Sequence, residues 1–70
     1  MRLRATIRAR RQPNKFSRRG FMYCYYMEVR DDTGRLWASD NTGDWRVMYD
    51  LALWHMETIK EAWTIGVLKP

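Results

Sequence analysis

Residues 41–63, NTGDWRVMYDLALWHMETIKEAW, form the longest periodic stretch of the chain, and how they are read decides the fold. Trp45, Met48, Leu51, Ala52, His55, Met56, Ile59, Ala62 and Trp63 recur at steps of three and four, which gathers them into one stripe along a single continuous helix. Asn41 or Thr42 is expected to cap its start, with Asp44 in the first turn where the macrodipole favours an anion. Lys60 lies in the last turn, and Gly66 is a breaker just beyond an expected end near Trp63. A stripe of this width has to be buried against a second layer, so the residues around it should form a sheet.

The chain ahead of the helix reads that way. From Arg2 to Arg10, Leu3, Ala5, Ile7 and Ala9 alternate with Arg2, Arg4, Thr6, Arg8 and Arg10, the pattern of a half-buried strand. Residues 11–20 contain Pro13, Asn14, Ser17 and Gly20 among further cations and predict a long, mobile, basic hairpin loop, with Phe16 pinning it or standing at its tip. Phe21 to Arg30, FMYCYYMEVR, is rich in aromatic residues and free of Pro and Gly, which predicts the central strand. Asp31-Asp32-Thr33-Gly34 supplies a tight turn with Gly34 at positive φ, and Arg35 to Asp40 returns as a third strand. Thr64 to Lys69 is either a short fourth strand or an ordered tail. The expected architecture is therefore α+β: a three- or four-stranded antiparallel sheet, ordered β-β-β-α with an optional last β, and one long helix packed on one face.

Seventy residues make one small domain, 1–70, and a chain of this length buries only about 60% of the surface its unfolded form exposes. One cysteine, Cys24, provides no intramolecular disulfide and agrees with a reducing, cytoplasmic setting. No apolar run approaches the roughly 18 residues of a membrane span, so no membrane partner is expected. Charge is divided unevenly. Residues 1–30 carry nine cations against one carboxylate, net +8, and residues 31–70 carry four against seven, net −3. Such asymmetry points to an anionic partner for the first half.

The pleat then assigns faces. Leu3, Ala5, Ile7 and Ala9, the set Phe21, Tyr23, Tyr25, Met27 and Val29, and Leu36 with Ala38 are expected under the helix. The opposite face is left with Arg2, Arg4, Arg8, Arg10, Tyr26, Arg30, Arg35 and Trp37, with Arg18 and Arg19 reaching from the loop. Guanidinium groups bind carboxylate or phosphate in bidentate fashion, and Tyr26 and Trp37 offer planes for stacking. This combination fits docking onto an acidic protein groove, and it also fits single-stranded DNA or RNA. The bland reading is a solvated face on which Glu28 pairs with Arg4, Arg8 or Arg30. Trp54 falls off the apolar stripe, and with Val47 and Tyr49 it would make a second interface or a homodimer seam unless a last strand or the loop covers it.

Catalysis finds little support. His55, the only histidine, lies in the stripe as a core residue with one satisfied nitrogen, and Cys24 has no partner base. Asp40 to Asp44 supplies several oxygen ligands but is too short for a calcium loop, so neither metal nor cofactor is expected.

The stretch Gly34–Tyr49, GRLWASDNTGDWRVMY, resembles a group of small, mostly uncharacterised proteins of tailed bacteriophages, in which a strand enters a DNTG-type turn that opens a helix. It spans sixteen of the seventy residues, and its motif is structural and transfers no catalytic or binding residue. The resemblance implies a phage-encoded protein acting in the host cytoplasm, of the kind that inhibits a host machine such as RNA polymerase, a nuclease or a defence complex.

Overall fold

The computed structural model describes residues 2–69. In chain order the elements are β1 (Leu3–Pro13), β2 (Phe21–Asp31), β3 (Leu36–Thr42) and α1 (Trp45–Thr64). The strands form an open antiparallel sheet in the order β1-β2-β3, and α1 packs across one face, an α+β fold.

Alternation of Arg with small apolar residues in β1, and aromatic content in β2, let the two strands pair over their whole length, from Leu3↔Asp31 to Pro13↔Phe21. That ladder shortens the loop expected over residues 11–20 to a turn between Asn14 and Gly20. The turn is held by Asn14 N–H to the Gly20 carbonyl at 2.9 Å, Ser17 N–H to the Asn14 carbonyl at 3.2 Å and Phe16 N–H to Asn14 Oδ1 at 2.9 Å. Phe16 stands at its tip, 89% exposed.

The core is Met27 and Val29 of β2 against Met48, Ala52 and Ile59 of α1, flanked by Leu3, Ala5, Ile7, Tyr25, Trp37, Ala38, Met56 and Trp63. Two aromatic pairs mark the ends of the helix–sheet contact. Trp45 meets Tyr25 edge-on at 5.7 Å, and Trp63 meets Trp37 at 5.1 Å. The arm beyond Tyr25, residues 9–24, contributes nothing to this core.

Two expectations are corrected around β3 and α1, and the alternative left open for the tail is decided. Strand pairing continues through Tyr25↔Thr42, so Asn41 and Thr42 extend β3 beyond Asp40 and are not the helix cap. The cap is Asp44, whose carboxylate accepts from Arg46 N–H at 2.8 Å and Val47 N–H at 3.2 Å. Beyond α1 there is no strand among the described residues. Gly66 at φ 80° lets Gly66 N–H reach the Trp63 carbonyl at 3.2 Å and Val67 N–H the Ala62 carbonyl at 2.9 Å, a Schellman closure that uses up residues 65–67. Trp54 consequently has no covering strand and is 58% exposed, resting edge-on against His55 at 5.0 Å. Val47 shares its flank, whereas Tyr49, five residues from Trp54 and thus about 140° round the helix, lies on the other.

Candidate interaction surface

The antiparallel register sets the face opposite the helix. Residues paired directly across strands share a face, so Arg4↔Arg30, Thr6↔Glu28, Arg8↔Tyr26, Arg10↔Cys24 and Gln12↔Met22 stand together, with Ser39 opposite Glu28 and Asn41 opposite Tyr26. Met27 and Val29, the buried residues between them, point to α1. Arg2 lies just before β1 and lines a shallow depression with Arg4, Thr6, Arg30 and Asp32. Arg4, Arg8 and Arg10 of β1 and Arg30 of β2 are thus brought onto one surface that no second layer covers, whereas Arg11 has the opposite parity and lies over Phe21 at 4.7 Å.

Two of the expected site residues sit elsewhere, because the β2–β3 register slips between Val29 and Arg30. Arg30 pairs with Leu36 and Val29 with Ala38, so Trp37 is the extra residue of a β-bulge. Its ring goes to the helix side against Trp63, and Leu36, expected under the helix, is left exposed beside Arg30. Arg35 follows Trp37, with its guanidinium 4.1 Å from the indole centroid, and is engaged there instead of with the arginines of β1. The bulge is fixed by Asp31, a buried carboxylate that accepts from Trp37 Nε1–H at 2.8 Å, Thr33 N–H at 2.8 Å and Arg35 N–H at 3.1 Å. Bonds from the Thr33 hydroxyl and the Trp37 indole, with smaller backbone contributions, hold its carboxyl well below the usual carboxylate range, although burial pushes the other way.

Charge on the surface is only partly neutralised. Glu28 pairs with Arg30 at 2.9 Å, and Arg30 also donates to the Gly34 carbonyl at 2.8 Å. Among the described residues Arg4, Arg8 and Arg10 have no carboxylate within ion-pair distance. Arg10 lies over the Tyr26 ring at 5.4 Å, while Gln12 donates to the Tyr26 hydroxyl at 3.1 Å and accepts from Cys24 Sγ at 3.1 Å. With Trp37 on the far side, the face offers guanidinium forks beside the half-buried Tyr26 ring, which already has Arg10 against it. Arg18 and Arg19 are exposed in the turn at the end of the arm, remote from Arg4 along the ladder.

His55 Nε2 is buried 3.6 Å from Asp40 Oδ2, too far for a hydrogen bond, so this nitrogen is unsatisfied. No helix among the described residues is long and apolar enough to cross a membrane. Comparison with protein-family models, curated proteins and solved structures gave no match.

Proposed function

We propose that the chain is a non-enzymatic docking protein that sets its arginine face against an acidic groove of a larger protein, of the kind that otherwise holds nucleic acid, and blocks it by occupancy. What supports this is the trio Arg4, Arg8 and Arg10 on one uncovered sheet face, with no carboxylate within ion-pair distance among the described residues and with the neighbouring Tyr26 ring already engaged by Arg10. If the resemblance to phage proteins reflects origin, the target is a host RNA polymerase, nuclease or defence complex, and the protein acts in the host cytoplasm.

Single-stranded nucleic acid is the second reading, favoured by the end of the arm, where Lys15 lies 5.5 Å from the exposed Phe16 ring and Arg18 and Arg19 are exposed in the same turn. Titration of the wild type and of the Arg4→Glu/Arg8→Glu variant with poly-glutamate and with an arbitrary single-stranded oligonucleotide separates the two. Salt-sensitive binding of poly-glutamate that is lost in the variant supports docking onto an acidic protein surface. Oligonucleotide binding with poly-glutamate ignored would transfer the function to nucleic acid, on the sheet face if the variant loses it and on the arm if the variant keeps it. Identical behaviour of wild type and variant on both polymers would remove the face from consideration.

Side-chain pairs alone hold such a complex weakly. Exposed ion pairs contribute about 0.2–1 kcal/mol each, so three give about 0.6–3 kcal/mol, short of the ~4 kcal/mol of millimolar binding. A stable complex needs a further source of contact.

A further inference from the structure

β1 is an edge strand, and the direction of its free backbone groups follows from two hydrogen bonds. Asn14 N–H donates to the Gly20 carbonyl, which makes the even-numbered residues of β1 those bonded to β2. At the other end Asp31 N–H donates to the Arg35 carbonyl, so odd-numbered residues of β2 turn to β3 and even-numbered ones to β1, which agrees. The N–H and C=O groups of Leu3, Ala5, Ile7, Ala9 and Arg11 therefore point outward, and no backbone partner reaches them among the described residues. Pro13 has the same parity, so the N–H it lacks is one that the sheet does not use.

An exposed edge this long is a template for strand addition. We infer that the outer edge of β1 receives an extended segment of the partner protein in which acidic and apolar residues alternate. This rests on the docking reading above and specifies its geometry. An added strand places one set of side chains beside Arg4, Arg8 and Arg10, where carboxylates pair with them, and the alternate set beside Leu3, Ala5 and Ile7 at the margin of the core, where apolar groups continue it. A second copy of β1 is disfavoured at the same edge. Antiparallel self-pairing with the faces matched sets Arg4 against Arg8 or Arg10, or at full overlap Arg8 against its own copy, and like charges directly opposite are repulsive. The edge of β3 is shorter and bent by the bulge at Trp37, which blunts it.

The test uses the full chain and a synthetic nonapeptide of alternating Glu and Val, followed by calorimetric titration and amide hydrogen exchange. Exchange at Leu3, Ala5, Ile7 and Ala9 should slow at least tenfold on binding, while Arg4 and Arg8, already bonded to β2, change little. Ala9→Pro removes one outward N–H at an exposed position of the same parity as Pro13 and leaves the arginines in place; it should weaken the peptide at least tenfold. Arg4→Glu/Arg8→Glu should abolish binding of the Glu–Val peptide and accept its Lys–Val counterpart. No binding to the wild type, or protection elsewhere than on the odd-numbered residues of β1, overturns the inference without using any variant. Unchanged affinity in Ala9→Pro, with poly-glutamate still dependent on Arg4 and Arg8, overturns the edge and keeps the docking face. Peptide binding indifferent to Arg4→Glu/Arg8→Glu overturns the acidic occupant and the docking face together.

Discussion

Asp31 ties together the tight turn, the bulge and the Trp37–Trp63 contact, because one buried carboxylate takes bonds from Thr33, Arg35 and Trp37. Its depressed pKa has a definite sign for stability. Near neutral pH the ionised form is favoured by the fold. As pH falls below the unfolded value of about 3.9, the unfolded chain takes up a proton that the native carboxyl resists, so the contribution is lost progressively in acid. Asp31→Asn should therefore unfold at a lower temperature than wild type at pH 7, and thermal melts below pH 4 should show the gap closing. Met48 is a packing residue of the opposite kind, fully buried where α1 meets Met27 and Val29. Met48→Ala should cost about 2–5 kcal/mol in chemical denaturation. A seventy-residue domain holds only about 3.5–10 kcal/mol in all, so this variant sits at the margin of folding. At this scale the sequence revealed most where neighbouring residues differ in kind. Arg4 and Arg8 alternate with Ala5 and Ile7, and no other parity suits both. Trp37 could not be placed the same way, since Leu36, Trp37 and Ala38 are all apolar and it is the bond that the Trp37 indole donates to Asp31 that marks which of them bulges.

The elements divide by how much competition their end signals face. α1 was legible from its stripe, but Asn41, Thr42 and Asp44 all cap helices well, and the choice of Asp44 depends on β3 staying paired to β2 through Thr42. Replacing Asp44 with Ala should destabilise by about 0.5–2 kcal/mol, and Asn41→Ala, on the sheet face opposite Tyr26, should change stability far less; denaturant midpoints of the two variants check the assignment. The tail shows the converse problem. Ile65, Val67 and Leu68 suit a strand, yet a single glycine able to adopt φ 80° closes the helix with them. The length of β1 is hidden for a different reason. Pro13 and the cations near it suggest a loop, but a proline on the unbonded side of an edge strand costs no ladder bond.

As a whole the molecule measures 49 × 20 × 13 Å, and its radius of gyration of 14.9 Å exceeds the roughly 11 Å of a compact chain this long. The helix accounts for about 30 Å of that length, and the rest is the hairpin arm. Replacing Pro13–Phe21 with Asn-Gly, a two-residue turn seated on the Gln12↔Met22 pair, should leave the melting temperature within a few degrees, because the excised residues touch none of the core. The charge asymmetry of the sequence becomes an asymmetry of faces, with Arg4, Arg8 and Arg10 on the side away from α1. The measurement that bears most directly on the role of that face is chemical-shift mapping of the full chain titrated with poly-glutamate at low salt. Shifts concentrated at Arg4, Arg8, Arg10 and Tyr26, and erased by added salt, are the expected result; shifts centred on Val47 and Trp54, or none on the sheet, would contradict it.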